Sequence, residues 1–169
     1  MKPDTIKQLK LSKTLNLLVC GLNGSGKTVF MKKLSQNNVS TKTICGLKAE
    51  VYETNKLKIV SCSLPSKNLK NFLKDYNAII YIIDTSLGGA KQDAIENDFS
   101  QLFDDNSNID VPLLILANKR DEKCHPIGSI RDNWLTMGDV RGKIRLLETS
   151  LTKNDNGIEE GIKWIVSQI

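Results

Sequence analysis

The sequence predicts an α/β fold, in which a mostly parallel six-stranded sheet carries helices on both faces. Strand-like and helix-like segments alternate along the chain, which is the order that parallel strands with helical crossovers produce. The runs 78–84 and 111–117 are almost entirely apolar, as expected of strands buried on both faces. A glycine-rich loop joins the first strand, 15–20, to a helix.

Composition and charge favour one globular domain. Of the 169 residues, 40% are apolar and 25% are charged, which is enough to build a buried core. We expect an N-terminal arm over residues 1–13 and a single domain over residues 14–169. No run has the length of a membrane span or of a signal segment, so a cytoplasmic protein is expected. The net charge of +5 comes with scattered lysines, which favours an ordinary solvated surface over a nucleic-acid interface.

Residues 21–28 form the pattern G-x-x-x-x-G-K-[ST] directly after the first strand, which is typical of a phosphate-binding loop in a P-loop NTPase fold. Glycines let successive N–H groups point at phosphate oxygens, and the following helix adds its own unpaired N–H groups. Lys27 would reach the β- and γ-phosphates, and the Thr28 hydroxyl would be a ligand for Mg²⁺. The predicted phosphate-binding residues are Gly21, Asn23, Gly24, Ser25, Gly26, Lys27 and Thr28.

The next segments predict a helix, a loop and a hairpin. Residues 27–34 continue from the glycine-rich loop as a helix, and the polar stretch 35–42 is expected to be a loop. Residues 48–53 and 56–63 are strand-like and are separated by Thr54-Asn55, which predicts an antiparallel hairpin.

Helical periodicity begins at Ser66. Apolar residues at i, i+3, i+4 and i+7 predict a helix there, and the same spacing recurs after residue 92 and near the C-terminus. The apolar positions of these three helices are Leu69, Phe72, Leu73 and Tyr76; Ile95, Phe99, Leu102 and Phe103; and Ile158, Ile162, Ile165 and Ile169. A short helix over 129–135 and a last strand over 143–147 complete the prediction.

Two further motifs indicate which nucleotide binds. Asn118-Lys119-Arg120-Asp121 follows one buried strand, and 149–152 follows the last strand, so both lie at the strand ends on the side of the phosphate loop. The Asp121 carboxylate can accept hydrogen bonds from the N1–H and the exocyclic amine of guanine, a donor pair that adenine lacks. Lys119 would cover the base, Asn118 would tie the two loops, and an N–H near Leu151 would bind guanine O6. The predicted guanine-binding residues are Asn118, Lys119, Asp121, Ser150, Leu151 and Thr152.

The order of the motifs GLNGSGKT, NKRD and ETSLT resembles that of the small GTPases of the Ras superfamily. Two details resemble its ADP-ribosylation-factor-like (Arf-like) branch: Thr43-Ile44-Cys45-Gly46 followed by Glu50 is similar to the first switch, and 157–165 is similar to the final helix. The resemblance implies the small G-protein fold, GTP or GDP with Mg²⁺ as cofactors, and Mg²⁺ coordination by Thr28 and Thr43. Thr41 is the competing choice, because the segment fits the family pattern only with a one-residue shift. Solvated loop hydroxyls are the other interpretation of these threonines.

The resemblance also implies effector or regulatory proteins that bind through the switch regions, and a monomer is expected. Membrane contact is expected only indirectly. Lys2 excludes N-myristoylation at this start site, and the apolar residues of the arm are too few to anchor it.

The chain departs from the family after the hairpin. The family carries D-x-G-G-Q there, in which Asp holds a water on Mg²⁺, Gly donates its N–H to the γ-phosphate, and Gln orients the attacking water. The aligned run here is Ser63-Leu64-Pro65-Ser66-Lys67. Ser63 lacks the charge of a carboxylate, and Lys67 has donors but no acceptor. No catalytic residue is therefore predicted.

These observations lead to the hypothesis of a guanine-nucleotide-binding, Arf-like switch with weak or absent GTP hydrolysis, and whether it is an enzyme stays open. One alternative is an interaction subunit that does not cycle nucleotide. Another is a working GTPase that uses a catalytic group from a partner. A P-loop kinase is disfavoured, because the motifs at 118–121 and 149–152 would have no role in binding ATP.

Overall fold

A computed structural model of the chain describes residues 14–36, 38–63, 69–87, 92–100, 111–126, 128, 144–153 and 156–169. In this part of the chain, one mostly parallel sheet carries helices on both faces, which confirms the predicted α/β class. The strands are β1 (Leu15–Cys20), β2 (Ser40–Ile44), β3 (Leu47–Glu53), β4 (Leu57–Ser61), β5 (Ala78–Asp84), β6 (Leu113–Asn118) and β7 (Ile144–Glu148). The helices are α1 (Lys27–Ser35), α2 (Leu69–Leu73), α3 (Gln92–Ser100) and α4 (Gly157–Gln168).

The strand order is β2-β3-β4-β1-β5-β6-β7. The pairs β2–β3 and β3–β4 are antiparallel, so the predicted hairpin around Thr54-Asn55 is confirmed. β4, β1, β5, β6 and β7 pair in parallel. The carboxyl ends of these parallel strands therefore meet at one edge of the sheet, and the loops after β1, β6 and β7 leave from that edge.

β2 is one strand more than the six that the sequence predicts. Residues 40–42 belong to the polar stretch predicted to be a loop, but Ser40–Ile44 pairs with β3 along its whole length, from Ser40 opposite Val51 to Ile44 opposite Leu47. Its side chains are exposed at the sheet edge apart from Ile44, which is half-buried. An edge strand of this kind has no apolar alternation, so only its backbone pairing with β3 identifies it.

The central strands divide the core into two layers. All residues of β5 and β6 are buried, which explains their continuous apolar sequence. The apolar residues of α1 and α4 pack on one face of the sheet, and those of α2 and α3 pack on the other. Ile158, Ile162 and Ile165 of α4 face inward as predicted, but Ile169 is 63% exposed, so the prediction that it faces inward is wrong. α4 ends at Gln168, and the residue beyond it no longer follows the turn of the helix.

Several predicted features lie outside the described residues. They are the arm over 1–13, residues 64–68, Leu102, Phe103 and the helix over 129–135. The boundary between arm and domain stays a prediction. Within the described ranges, no helix is both long enough and apolar enough to cross a membrane.

Candidate nucleotide-binding site

The glycine-rich loop turns the chain from β1 into α1 and lies against the ends of β5 and β6. Gly21 and Gly26 have φ angles of +129° and +112°, which side chains with a Cβ rarely adopt. A Cβ at Gly21 would lie 2.2 Å from the carbonyl oxygen of Ile82, and one at Gly26 would lie 2.4 Å from Asn118 Nδ2. A Cβ at Gly24 would meet no atom within 4 Å. The loop is thus packed on its inner side and open at its tip.

Lys27 folds back over this loop. Its Nζ donates hydrogen bonds to the carbonyl oxygens of Gly21 at 2.6 Å and Leu22 at 2.9 Å. Burial lowers the pKa of Lys27, and the charges of Asp98 and Glu50 are among those that oppose this shift. An ammonium group has three donors, so a third remains after these two bonds. The structure therefore holds this positive charge at the loop, where a phosphate is predicted to lie.

Thr28 contacts a carboxylate of the hairpin. Its hydroxyl donates a hydrogen bond to Glu50 Oε1 at 3.0 Å. Glu50 lies on β3 directly opposite Thr41 of β2, whereas Thr43 lies opposite Lys48. Thr28 thus contacts Glu50 through its side chain. Glu50 lies opposite Thr41, the alternative to Thr43 as a predicted Mg²⁺ ligand. Metal coordination by Thr28, Thr43 or Thr41 stays a prediction. The sequence alone indicates no contact between Thr28 and Glu50.

Asn118, the last residue of β6, joins two loops. Its Nδ2 donates to the carbonyl oxygen of Ser25 at 2.7 Å, and its Oδ1 accepts from the Leu151 N–H at 2.9 Å. The first bond is the predicted tie to the phosphate loop. The second bond engages the N–H of Leu151 itself, so a donor to guanine O6 has to come from a neighbouring residue of the loop over 149–152.

We expect Asn118→Ala to lower the free energy of unfolding by about 2–6 kcal/mol. Both loop groups that Asn118 binds would lose their partner in a buried place, at ~1–3 kcal/mol each. Urea unfolding of the nucleotide-free protein measures the change. Asn38→Ala, which replaces an exposed asparagine, serves as the control and should change the value by less than about 0.5 kcal/mol. An Asn118→Ala protein as stable as this control would contradict the bridging role.

Lys119 is anchored by Asp84. Lys119 has a φ of +67°, and its Nζ lies 2.6 Å from Asp84 Oδ2. Asp84 ends β5, as predicted, and also accepts hydrogen bonds from the N–H and the hydroxyl of Ser86. Burial raises the pKa of Asp84, but the bonds from Lys119 and Ser86 outweigh burial and hold this pKa below its usual value. The anchored ammonium restrains the alkyl stem that is predicted to cover the base.

Asp121 lies beside the loop after β7. The Thr152 hydroxyl donates to its Oδ2 at 3.4 Å, and Lys153 Nζ lies 3.8 Å from the same oxygen. The hydrogen bond from its own backbone N–H is the largest cause of the lowered pKa of Asp121. Together with the bond from Ser150, the charge of Lys153 and the bond from Thr152, it outweighs desolvation, which raises this pKa. Asp121 is therefore ionised at neutral pH, as an acceptor of two guanine donors must be.

Two predicted phosphate-loop residues differ in their surroundings. Asn23 is exposed at the loop tip, whereas Ser25 is 1% exposed. Among the described residues, the Ser25 hydroxyl oxygen is buried without a hydrogen-bond partner. The loop as a whole fits a nucleotide phosphate with Mg²⁺, because it combines an open glycine tip, an ammonium group and a hydroxyl beside a carboxylate, the oxygen ligands that Mg²⁺ prefers.

Comparisons with known proteins agree with this geometry. The model of the ADP-ribosylation factor family matches residues 3–169. ADP-ribosylation factor-like protein 3 of Chlamydomonas reinhardtii is 26% identical over 90% of this chain and 89% of its own length. ADP-ribosylation factor D of Dictyostelium discoideum is 29% identical over 94% of this chain and 76% of its own length. ADP-ribosylation factor-like protein 1 of Saccharomyces cerevisiae is 24% identical over 94% of this chain and 89% of its own length.

The family match spans nearly the whole chain and includes every motif of the candidate site. The resemblance found from those motifs is thereby confirmed. The chain belongs to the ADP-ribosylation factor family and is an Arf-like member of the small GTPases, a class of GTP-binding proteins.

Proposed function

We propose that the chain binds guanine nucleotide with Mg²⁺ and acts as a nucleotide-dependent interaction switch whose own GTP hydrolysis is weak or absent. The observation that carries the proposal is the bridge through Asn118, which hydrogen-bonds the phosphate loop at Ser25 and the guanine loop at Leu151. One buried side chain thus couples the two halves of a nucleotide site. Membership of the ADP-ribosylation factor family supports the same function.

Each part of the site has a chemical task in this proposal. Lys27 and the N–H groups of the glycine-rich loop bind the phosphates, and Asp121 selects guanine through its donor pair. Lys119 covers the base, and Asn118 sets the distance between the loops. Mg²⁺, when bound, neutralises phosphate charge. Its proposed protein ligand is Thr28, joined by Thr43 or Thr41 of the first switch.

Weak hydrolysis follows from the residue at the position of the missing aspartate. Ser63 comes two residues after β4, is exposed and carries no charge. A serine hydroxyl cannot hold a water on Mg²⁺ as strongly as a carboxylate does. Unaided small GTPases already turn over at only ~10⁻⁴ to 10⁻³ per second, and the loss of the groups that orient the attacking water lowers this rate further.

We expect the purified protein to carry guanine nucleotide and to hydrolyse loaded GTP more slowly than ~10⁻⁴ per second. Chromatography of the ligand released by denaturation identifies the nucleotide, and single-turnover phosphate release measures the rate. The Lys27→Ala variant is the control for contaminating phosphatases. Phosphate release at ~10⁻³ per second would contradict weak hydrolysis. An empty protein that also fails to bind added GTP with Mg²⁺ would contradict the switch itself.

The second candidate is an interaction subunit that does not cycle nucleotide. It is favoured by the bonds of Lys27 to Gly21 and Leu22 and of Thr28 to Glu50, because these satisfy the loop's polar groups from within the chain. Equal affinity for a protein partner in the GTP-loaded, GDP-loaded and Lys27→Ala forms would identify this candidate. Effector or regulatory partners, a monomeric state and a cytoplasmic location stay predictions.

A further inference from the structure

We propose that Glu50 supplies a protein carboxylate to the Mg²⁺ site, which lacks the aspartate that the family carries after β4. The inference rests on the proposed function, because a bound nucleotide completes the site. Ser63 stands where the family carries an aspartate, and Ser63 is neutral and exposed. Glu50 places one negative charge at the same site from a different strand.

The distance between the two side chains fits this role. Thr28 Oγ1 and Glu50 Oε1 are 3.0 Å apart. Mg²⁺ binds six oxygens in octahedral geometry at about 2.1 Å, which sets adjacent ligand oxygens about 3.0 Å apart. The hydroxyl that now donates its proton to Glu50 can rotate and offer a lone pair to the cation. Both oxygens can therefore serve as neighbouring ligands without moving.

The backbone holds Glu50 in this position. Its strand, β3, pairs with β2 on one side and β4 on the other, and Glu50 lies opposite Thr41 and Ser61. Its side chain is half-buried and faces the start of α1, where Thr28 lies. A carboxylate carried by a strand with two neighbours is more rigid than one carried by a loop, which favours the strict geometry of Mg²⁺.

The other carboxylates near the site serve different contacts. Asp84 binds Lys119 and Ser86, Asp98 accepts a hydrogen bond from the Tyr81 hydroxyl at 2.5 Å, and Asp121 lies beside the guanine loop. Among the residues that the structure describes, Glu50 is the carboxylate that contacts a predicted Mg²⁺ ligand. The charge of Glu50 also predicts whether this side chain favours or opposes nucleotide binding. Glu50 repels a phosphate when no cation is bound and favours the nucleotide once Mg²⁺ lies between them.

The Glu50→Gln substitution tests the inference. Glutamine has the same shape and still accepts a hydrogen bond from Thr28, but it carries no charge. The release rate of a fluorescent GDP derivative is measured against free Mg²⁺ concentration. The Mg²⁺ concentration that gives half of the full slowing is expected to rise about 10- to 100-fold, which is typical of a weakened metal site. Without Mg²⁺, the variant should release GDP at the wild-type rate or more slowly, since the repulsion between the Glu50 carboxylate and the phosphates is lost.

Glu53→Gln is the matched control. It removes the same charge from the same strand, where Glu53 pairs with Lys42 at 3.4 Å, and it should leave the Mg²⁺ midpoint at the wild-type value. Glu50→Asp keeps the charge on a shorter side chain and should give a midpoint between those of the wild type and Glu50→Gln. Thermal unfolding shows whether Glu50→Gln folds. If it does not fold, Glu50→Asp tests the inference by itself, and a wild-type Mg²⁺ midpoint in Glu50→Asp would then overturn the inference.

Two results would overturn the inference. One is a Glu50→Gln protein whose Mg²⁺ midpoint equals that of Glu53→Gln. The other is release that becomes faster by the same factor with and without Mg²⁺, which would show that Glu50 merely supports the loop. In both cases the wild type still binds GDP, so the proposed function stands. A wild-type protein that binds no guanine nucleotide would instead overturn the proposed function.

Discussion

Replacing Lys27 with alanine is expected to lower the affinity for GTP by about 100-fold or more, and the affinity for GDP, which has no γ-phosphate, by about 10-fold or more. Lys27 is the ammonium group held over the phosphate loop by Gly21 and Leu22. A hydrogen bond that involves a charged group contributes about 1.5–3 kcal/mol, and Lys27 is predicted to contact two phosphates. Two such contacts correspond to a loss on the order of 100- to 10,000-fold in affinity for GTP. Titration with a fluorescent GDP or GTP derivative in the presence of Mg²⁺ measures this loss.

Lys32→Ala is the matched control for this prediction. Lys32 is exposed and lies in the last turn of the same helix, α1. Its replacement by alanine therefore removes an equal charge at a distance from the loop. Its affinity for GTP should stay at the wild-type value. Thermal unfolding of the nucleotide-free proteins verifies that both variants fold. A folded Lys27→Ala protein that binds GTP as well as Lys32→Ala does would refute the assignment of the phosphate site.

Replacing Asp121 with asparagine is expected to change which base the protein binds. The asparagine side chain offers one acceptor and one donor group, whereas the Asp121 carboxylate offers only acceptors. Guanine presents two donors to this position, so one of them would face another donor. The substitution therefore replaces a favourable contact with the base by a repulsive one, and one hydrogen bond to guanine is lost. GTP affinity should therefore fall on the order of 100-fold.

Xanthine carries a carbonyl oxygen where guanine carries the exocyclic amine, so it presents one donor and one acceptor. The same Asp121→Asn variant should therefore bind xanthosine triphosphate more tightly than the wild type does. Competition of both nucleotides against a fluorescent analogue measures the change of preference. Glu122→Gln removes the adjacent, exposed charge and should keep the preference for GTP. An asparagine variant that retains this preference would argue that Asp121 does not contact the base.

Local patterns in the sequence determined most of the fold. The continuous apolar runs of β5 and β6 require burial on both faces, and a parallel sheet under helices is the arrangement that provides it. The glycine-rich loop was predictable because a backbone that turns with positive φ needs glycine at defined positions. α1, predicted over 27–34, ends one residue later than predicted, and α4 begins and ends one residue before the first and last of its predicted apolar positions, Ile158 and Ile169. Each of these signals is contained within one short segment of the chain.

Tertiary structure decided the contacts of the candidate site. β2 forms only because β3 lies beside it, since its own exposed residues carry no strand pattern. Three hydrogen bonds join residues that are 22, 35 and 33 positions apart: Thr28 to Glu50, Lys119 to Asp84, and Leu151 to Asn118. The phosphate-loop pattern, the NKRD motif and the run that replaces D-x-G-G-Q can all be read from the sequence by itself. Which carboxylate meets Thr28 depended on strand register, because pairing between strands, and not spacing along the chain, brings Glu50 to the start of α1.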